Sequence, residues 1–157
     1  MTDRTGVAKP SGLICLALCA IKLLEKIPPA LPAFLLRLPV AWSFFQSGLT
    51  KLPLGNPSTV GLFQNIYQVP LLPPALAAYL GTIVEIGAPV LLALGLGARV
   101  GAAALICQTL VIWLFVFPEY WQTEYVFWIT PLIYVLLRGP GAWSVDALIR
   151  RHFSGGA

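Results

Sequence analysis

The chain has 157 residues, of which 58% are hydrophobic and only 10% charged, with a mean hydropathy of +0.83. A soluble domain carries roughly 25% charged residues to solvate its surface, so this composition excludes a water-exposed globule and points to one compact integral membrane domain. The net charge of +4 comes from basic residues that flank apolar runs. They form no stripe with interleaved aromatics, which argues against a nucleic-acid partner and fits residues that fix topology beside anionic lipid.

The first element is the segment Ser11–Ile27, SGLICLALCAIKLLEKI. Its apolar part, Gly12–Ile21, is short for a span, while Lys22, Glu25 and Lys26 continue an amphipathic helical pattern. This predicts a helix lying on the membrane surface, capped by Ser11 and ended by Pro28, Pro29 and Pro32. A cleaved signal segment is the alternative reading.

Four predicted spans follow. The first, Leu31–Thr50, is charged only at Arg37, and the second, Pro74–Gly97, only at Glu85. The third is Arg99–Pro118. The fourth, Trp121–Leu137, has Glu124 near its start and Pro131, which predicts a kink. At about 1.5 Å per residue each can cross a hydrocarbon core of about 30 Å with modest adjustment. The connection Leu52–Pro73 is too polar to span, yet it carries Phe63, Ile66, Tyr67 and Val69. It predicts a short interfacial helix over Ser58–Gln68, capped by Ser58 or Thr59, that closes the outer mouth. Gly139-Pro140-Gly141 ends the last span, and SVDALIRR, Ser144–Arg151, predicts an amphipathic helix with Ser144 as cap and Asp146 in its first turn.

The expected fold class is therefore all-α and integral to the membrane. Residues 1–30 form a cytoplasmic amphipathic segment, 31–138 a four-transmembrane-helix bundle and 139–157 a cytoplasmic amphipathic tail. Arg4, Lys9, Lys22, Lys26, Arg99, Arg138, Arg150 and Arg151 fall on one side. The positive-inside rule then puts both termini in the cytoplasm, with Tyr120, Trp121 and Tyr125 at the outer interface.

Glu85 locates any chemistry. An ionised carboxylate in hydrocarbon is costly, so it is paired, protonated or turned to a polar cavity. Glu85 lies twelve residues from the cytoplasmic end of the second span and Gln108 nine from that end of the third. Arg37 and Gln46 stand nine apart on the first. The expected cluster is Arg37, Glu85 and Gln108, with Gln46 a further candidate. It is either an ion pair that locks two helices or a ligand or proton site. Lys51, at the end of the first span, is expected as an interfacial anchor at the outer face, or as a group that steers an anionic substrate. Aromatic residues gather in the last two spans (Trp113, Phe115, Phe117, Phe127, Trp128, Tyr134) and read as lipid-facing packing or as walls for a flat quinone ring. Cys15, Cys19 and Cys107 form no CxxC and read as small packing residues. His152 is the sole histidine and no metal-ligand spacing occurs, so there is no haem or metal signature. No phosphate loop, nucleophile elbow or other autonomous catalytic motif is visible.

These residues together resemble the DoxX family. The first span, LLRLPVAWSFFQSGLTKL, carries Arg37, Phe45, Gly48 and Lys51 in the family's arrangement. Phe63 and Pro70 follow in the outer connection. Glu85, Leu91, Leu92, Gly95 and Arg99 then match its E-x-x-x-x-x-L-L-x-x-G-x-x-x-R signature, and the tail RGPGAWSVDALIRR is similar to the ending of bacterial members. The resemblance runs over Leu31–Arg151. It implies a four-span bacterial inner-membrane protein linked to quinol- and quinone-dependent oxidoreductase systems and to oxidative-stress defence. Relatives that handle disulfides carry cysteine pairs, which this chain lacks. The resulting expectation is an accessory or quinone-interacting subunit of a membrane oxidoreductase, in contact with lipid and with protein partners or further copies of itself. The alternatives are a non-catalytic scaffold or assembly factor, or a small oligomeric transporter component.

Overall fold

The computed structural model describes residues 12–28 and 30–154. Among them there are helices and turns and no strand. The helices are α1 (Gly12–Glu25), α2 (Ala30–Thr50), α3 (Pro57–Leu62), α4 (Pro74–Leu94), α5 (Ala98–Phe115), α6 (Tyr125–Arg138) and α7 (Val145–Ser154). The expected cap Ser11, the helix-ending Pro29, and the basic Arg4 and Lys9 lie outside the described residues.

The helices α2, α4, α5 and α6 pack in a closed ring, α2 on α4, α4 on α5, α5 on α6 and α6 on α2. Their shared core holds Val40, Ala41 and Phe44 of α2, Ala88 and Leu92 of α4, Leu105 of α5, and Leu132 and Val135 of α6. Ala41 and Ala88, with Ala98 and Ala102 of α5, are small, which lets apolar helices approach closely where no hydrophobic force separates core from lipid. α4 and α5 are each long and apolar enough to cross a membrane; α6 is apolar but shorter. α1 exposes every side chain described on it, including Leu13, Leu16, Leu23 and Leu24.

The connection between α2 and α4 folds over one end of the ring. Its helix α3 begins at Pro57 and is capped by Asn56, whose Oδ1 accepts from the Ser58 N–H at 3.0 Å. Ser58 and Thr59 were the expected caps. Asn followed by Pro at the first helical position meets the same need two residues before Ser58. The chain continues as a π-helical turn, Phe63–Tyr67, and closes at Gln68 in the left-handed region. Phe63 and Tyr67 of this cap pack edge-to-face at 4.9 Å, and the cap rests on Ala77 and Ala78 of α4.

At the opposite end, Ser144 caps α7 as expected, its Oγ accepting from the Ala147 N–H at 3.2 Å. Asp146 does more than sit in a first turn. Its Oδ1 accepts from the Gly97 N–H at 2.9 Å and its Oδ2 from the Ala98 N–H at 3.4 Å, so it caps α5 from a distant part of the chain. Asp146→Ala should therefore loosen the α4–α5 turn and cost about 1 kcal/mol. Amide hydrogen exchange in the first turn of α5 would rise if so; unchanged protection there would refute this role.

Candidate functional site

Glu85 faces α2 where Gly48 lets the two helices pack tightly. A Cβ at Gly48 would stand 2.8 Å from Ile86 Cγ1 and 3.0 Å from the Glu85 carbonyl oxygen, so only glycine permits this approach. Lys51 lies three residues beyond Gly48 and shares its face of the helix. It is thereby turned inward, where its ammonium donates to Glu85 Oε2 and to Ser47 Oγ at 3.1 Å. The two side chains are 7% and 4% exposed, which makes this a buried ion pair rather than a surface one. Gln108 Nε2 donates to Glu85 Oε1 at 2.6 Å, so both carboxylate oxygens are engaged. The Lys51 carbonyl accepts from Thr59 Oγ1 at 3.1 Å, which ties the cap to the pair beneath it.

The structure brings together only part of the expected Arg37, Glu85 and Gln108 cluster. Gln108 meets Glu85, but Lys51 takes the place of Arg37. Arg37 precedes Gly48 by eleven residues, about 16 Å along the axis, which is beyond the reach of its side chain. It donates instead to the Pro140 carbonyl at 2.7 Å and to the Trp143 carbonyl, with its guanidinium over the Phe34 ring. Gln46 is exposed and takes no part. Lys51 is not a snorkelling anchor either. α2 ends only two residues past Gly48, whereas α4 runs eleven residues, about 16 Å, from Glu85 to its start at Pro74. The overhang of α4 is roofed by α3 and the π turn, so the end of α2 lies under a lid.

Beside the pair lies a cavity of about 390 Å³. Lys51 and Glu85 line it, and Phe44, Tyr67, Phe117, Tyr120, Tyr125 and Trp128 supply aromatic walls. Glu124, Ser43 and Ser47 complete its polar lining. Tyr67, Tyr120 and Tyr125 are functional candidates that the sequence reading left at an interface. Tyr67 could have been found from its place in a connection too aromatic to be a free loop. Burial, and then the nearby Glu85 charge, push the Tyr67 phenol above its ordinary range, so at neutral pH it remains a hydrogen-bond donor. Other aromatics of that reading point elsewhere: Phe115 and Phe127 are exposed, and Trp113 packs on Trp121 at 4.2 Å.

One polar atom in this region stands out. Gln108 Oε1 is buried and has no hydrogen-bond partner among the described residues. A buried acceptor left unpaired costs about 1–3 kcal/mol, so it invites a donor from a bound molecule. No group of three His, Cys, Asp or Glu side chains suited to a metal occurs among the described residues.

The DoxX family model matches residues 33–118, more than half of the chain. The chain belongs to the DoxX family. The matched stretch of this DoxX protein runs from α2 to the end of α5, and so contains Lys51, Glu85 and Gln108 together with the whole cap. α6, which adds Tyr125 and Trp128 to the cavity, lies beyond it. Family membership and the two membrane-length helices mark a small membrane protein in contact with the lipid bilayer. No curated protein and no solved structure shows significant similarity to the chain.

Proposed function

We propose that this DoxX protein crosses a bacterial-type inner membrane four times, through α2, α4, α5 and α6, and serves as a quinone-interacting accessory subunit of a membrane oxidoreductase system. In this reading the capped end faces outward. Arg99, Arg138, Arg150 and Arg151 gather at the other end with both termini in the cytoplasm, where α1 and α7 lie on the membrane surface. What supports a ligand site is one observation: a carboxylate held by Lys51 and Gln108 in the lining of an aromatic-walled cavity.

The donor set fits a neutral ring bearing carbonyl or hydroxyl oxygens. Lys51 and Tyr67 can donate to a carbonyl, and Glu85 can accept from a hydroxyl; Gln108 holds the carboxylate from the side of a neighbouring cavity. The flat walls suit a ring by offset or edge contacts. A phosphate-bearing headgroup fits poorly, because the one cation in the lining is already neutralised and Glu124 adds a second carboxylate. Quinone, when bound, would supply the electron-accepting chemistry; the chain itself holds, orients and exchanges hydrogen bonds or a proton at Glu85. Electrons must come from a partner's cofactor. The competing reading, a scaffold whose ion pair only ties α2 to α4, draws on the fact that the pair is already complete without a ligand.

The test is quinone retention. The protein purified from its native membrane in mild detergent should carry near-stoichiometric quinone, and a Lys51→Met/Glu85→Gln double variant should fold and carry none. Quinone absent from the wild type, or retained by the folded double variant, would shift the assignment to a scaffold.

A further inference from the structure

A second cavity, of about 400 Å³, lies on the flank of the first between α4, α5 and the π turn. Its lining is apolar except where it reaches Glu85 and Gln108. Phe63, Gly81, Val84, Ala104 and Val111 form most of its walls. Three residues, Tyr67, Glu85 and Ile112, line both cavities. Leu80 of α4 and Cys107 of α5 in its lining are exposed, as is Leu72 of the connection before α4, so this cavity opens on the flank of α4 and α5. The unpaired Gln108 side chain lies in its lining, next to the carboxylate.

Resting on the reading above, we infer that the two cavities are compartments of one site, the aromatic-walled one for the quinone ring and the apolar one for its isoprenoid tail, which enters from the bilayer between α4 and α5. The division of chemistry carries this. The hydrogen-bonding side chains gather in the aromatic-walled cavity and at the shared boundary, where Gln108 adjoins Glu85 from the apolar side; the rest of the second lining is hydrocarbon, one thiol and aromatic edges. A molecule with a polar ring and a long branched chain matches both halves at once, whereas a water-soluble ligand would leave the apolar half uncovered. The opening faces the flank where an apolar helix surface meets lipid. Such a molecule therefore never has to leave the hydrocarbon to reach Glu85.

Cys107 is a natural reporter of this compartment. With Cys15→Ser and Cys19→Ser in place, it is the single thiol of the chain. The experiment follows its alkylation by N-ethylmaleimide in phosphatidylcholine nanodiscs, alongside direct binding of two fully ring-substituted quinones. One is a ubiquinone with two isoprene units; the other is tetramethylbenzoquinone, which has no tail. The tailed quinone should slow alkylation of Cys107 about tenfold, given the methylenes it buries, and the tail-less one should bind without slowing it. Ala104→Phe, which fills the apolar compartment, should weaken the tailed quinone alone. If both quinones bind but Cys107 stays equally reactive, the tail lies elsewhere and this inference fails while the ring site stands. If neither binds, both fail. Equal protection by an isoprenoid alcohol without a ring would show a slot for any hydrocarbon chain and would also overturn it.

Discussion

Glu85→Gln alone should destabilise the protein by about 3–5 kcal/mol, and adding Lys51→Met should restore most of that loss. The reasoning is one of magnitudes. A buried ammonium costs several kcal/mol to desolvate, and here the Glu85 carboxylate offsets that cost. With glutamine at position 85, Lys51 keeps only the Ser47 hydroxyl and an amide oxygen as partners, too little to hold a charge under the cap. Removing both charges removes both the penalty and its compensation. Replacing a buried pair in this way is often neutral or better. Lys51→Met alone should also be costly, since it leaves the carboxylate with Gln108 only. Thermal unfolding in detergent across the full cycle measures the coupling. A Lys51–Glu85 interaction energy near zero would mean that the pair contributes nothing to the fold. The same cycle made with Arg37 in place of Lys51 should be additive, because Arg37 shares no partner with Glu85. Quinone retention then separates the roles: the double variant should recover stability and not ligand.

Much of the helical order was legible in the sequence, because long apolar runs, interrupted by Gly and Pro, fix where helices start and stop. Glu85 and Gln108 were legible too, since a polar group amid hydrocarbon must turn inward and two of similar depth tend to meet. The relative height of the helices was not. Hydropathy says that a run can cross a bilayer but not how far one helix is shifted along its neighbour. That shift decides that Lys51, rather than Arg37, stands beside Glu85. A signal was present nonetheless. Arg37, Ala41, Phe44, Gly48 and Lys51 are spaced by three or four residues and so share one face. Gly48 marks that face as the one pressed against another helix, and a lysine on it has to point inward. The partners of Arg37 left no mark in the sequence, because they are backbone carbonyls of an irregular segment, and any residue carries one. The same holds for Asp146, whose reach to α5 depends on where the chain returns.

Arg37→Met should detach that returning segment, at a cost of about 2–3 kcal/mol. The side chain is 2% exposed and meets no carboxylate; its charge is spread over two carbonyls and the face of Phe34. Two effects oppose each other when it is removed. A buried cation disappears, which is favourable, and the carbonyls of Pro140 and Trp143 lose their donor, at about 1–3 kcal/mol for each one left dry. The Pro140 contact is buried and the Trp143 contact only partly so, hence the first carbonyl dominates and the loss wins. Arg37→Lys should recover part of it, because an ammonium lacks the planar fork that serves both acceptors. Gly95→Ala should act on the same latch from the other side. Gly95 has φ +69°, its carbonyl accepts from the Asp146 N–H at 3.0 Å, and a Cβ there would collide with Ser144 and stand 2.8 Å from Arg37 Nη1. Because both substitutions break one contact region, their costs should sum to less than the separate values. Hydrogen exchange should rise in residues 139–154 of either variant and stay low around Lys51 and Glu85. Exchange that rises evenly along the chain would mean that Arg37 supports the whole bundle, and unchanged exchange would mean that the segment is held by α7 and Asp146 without it.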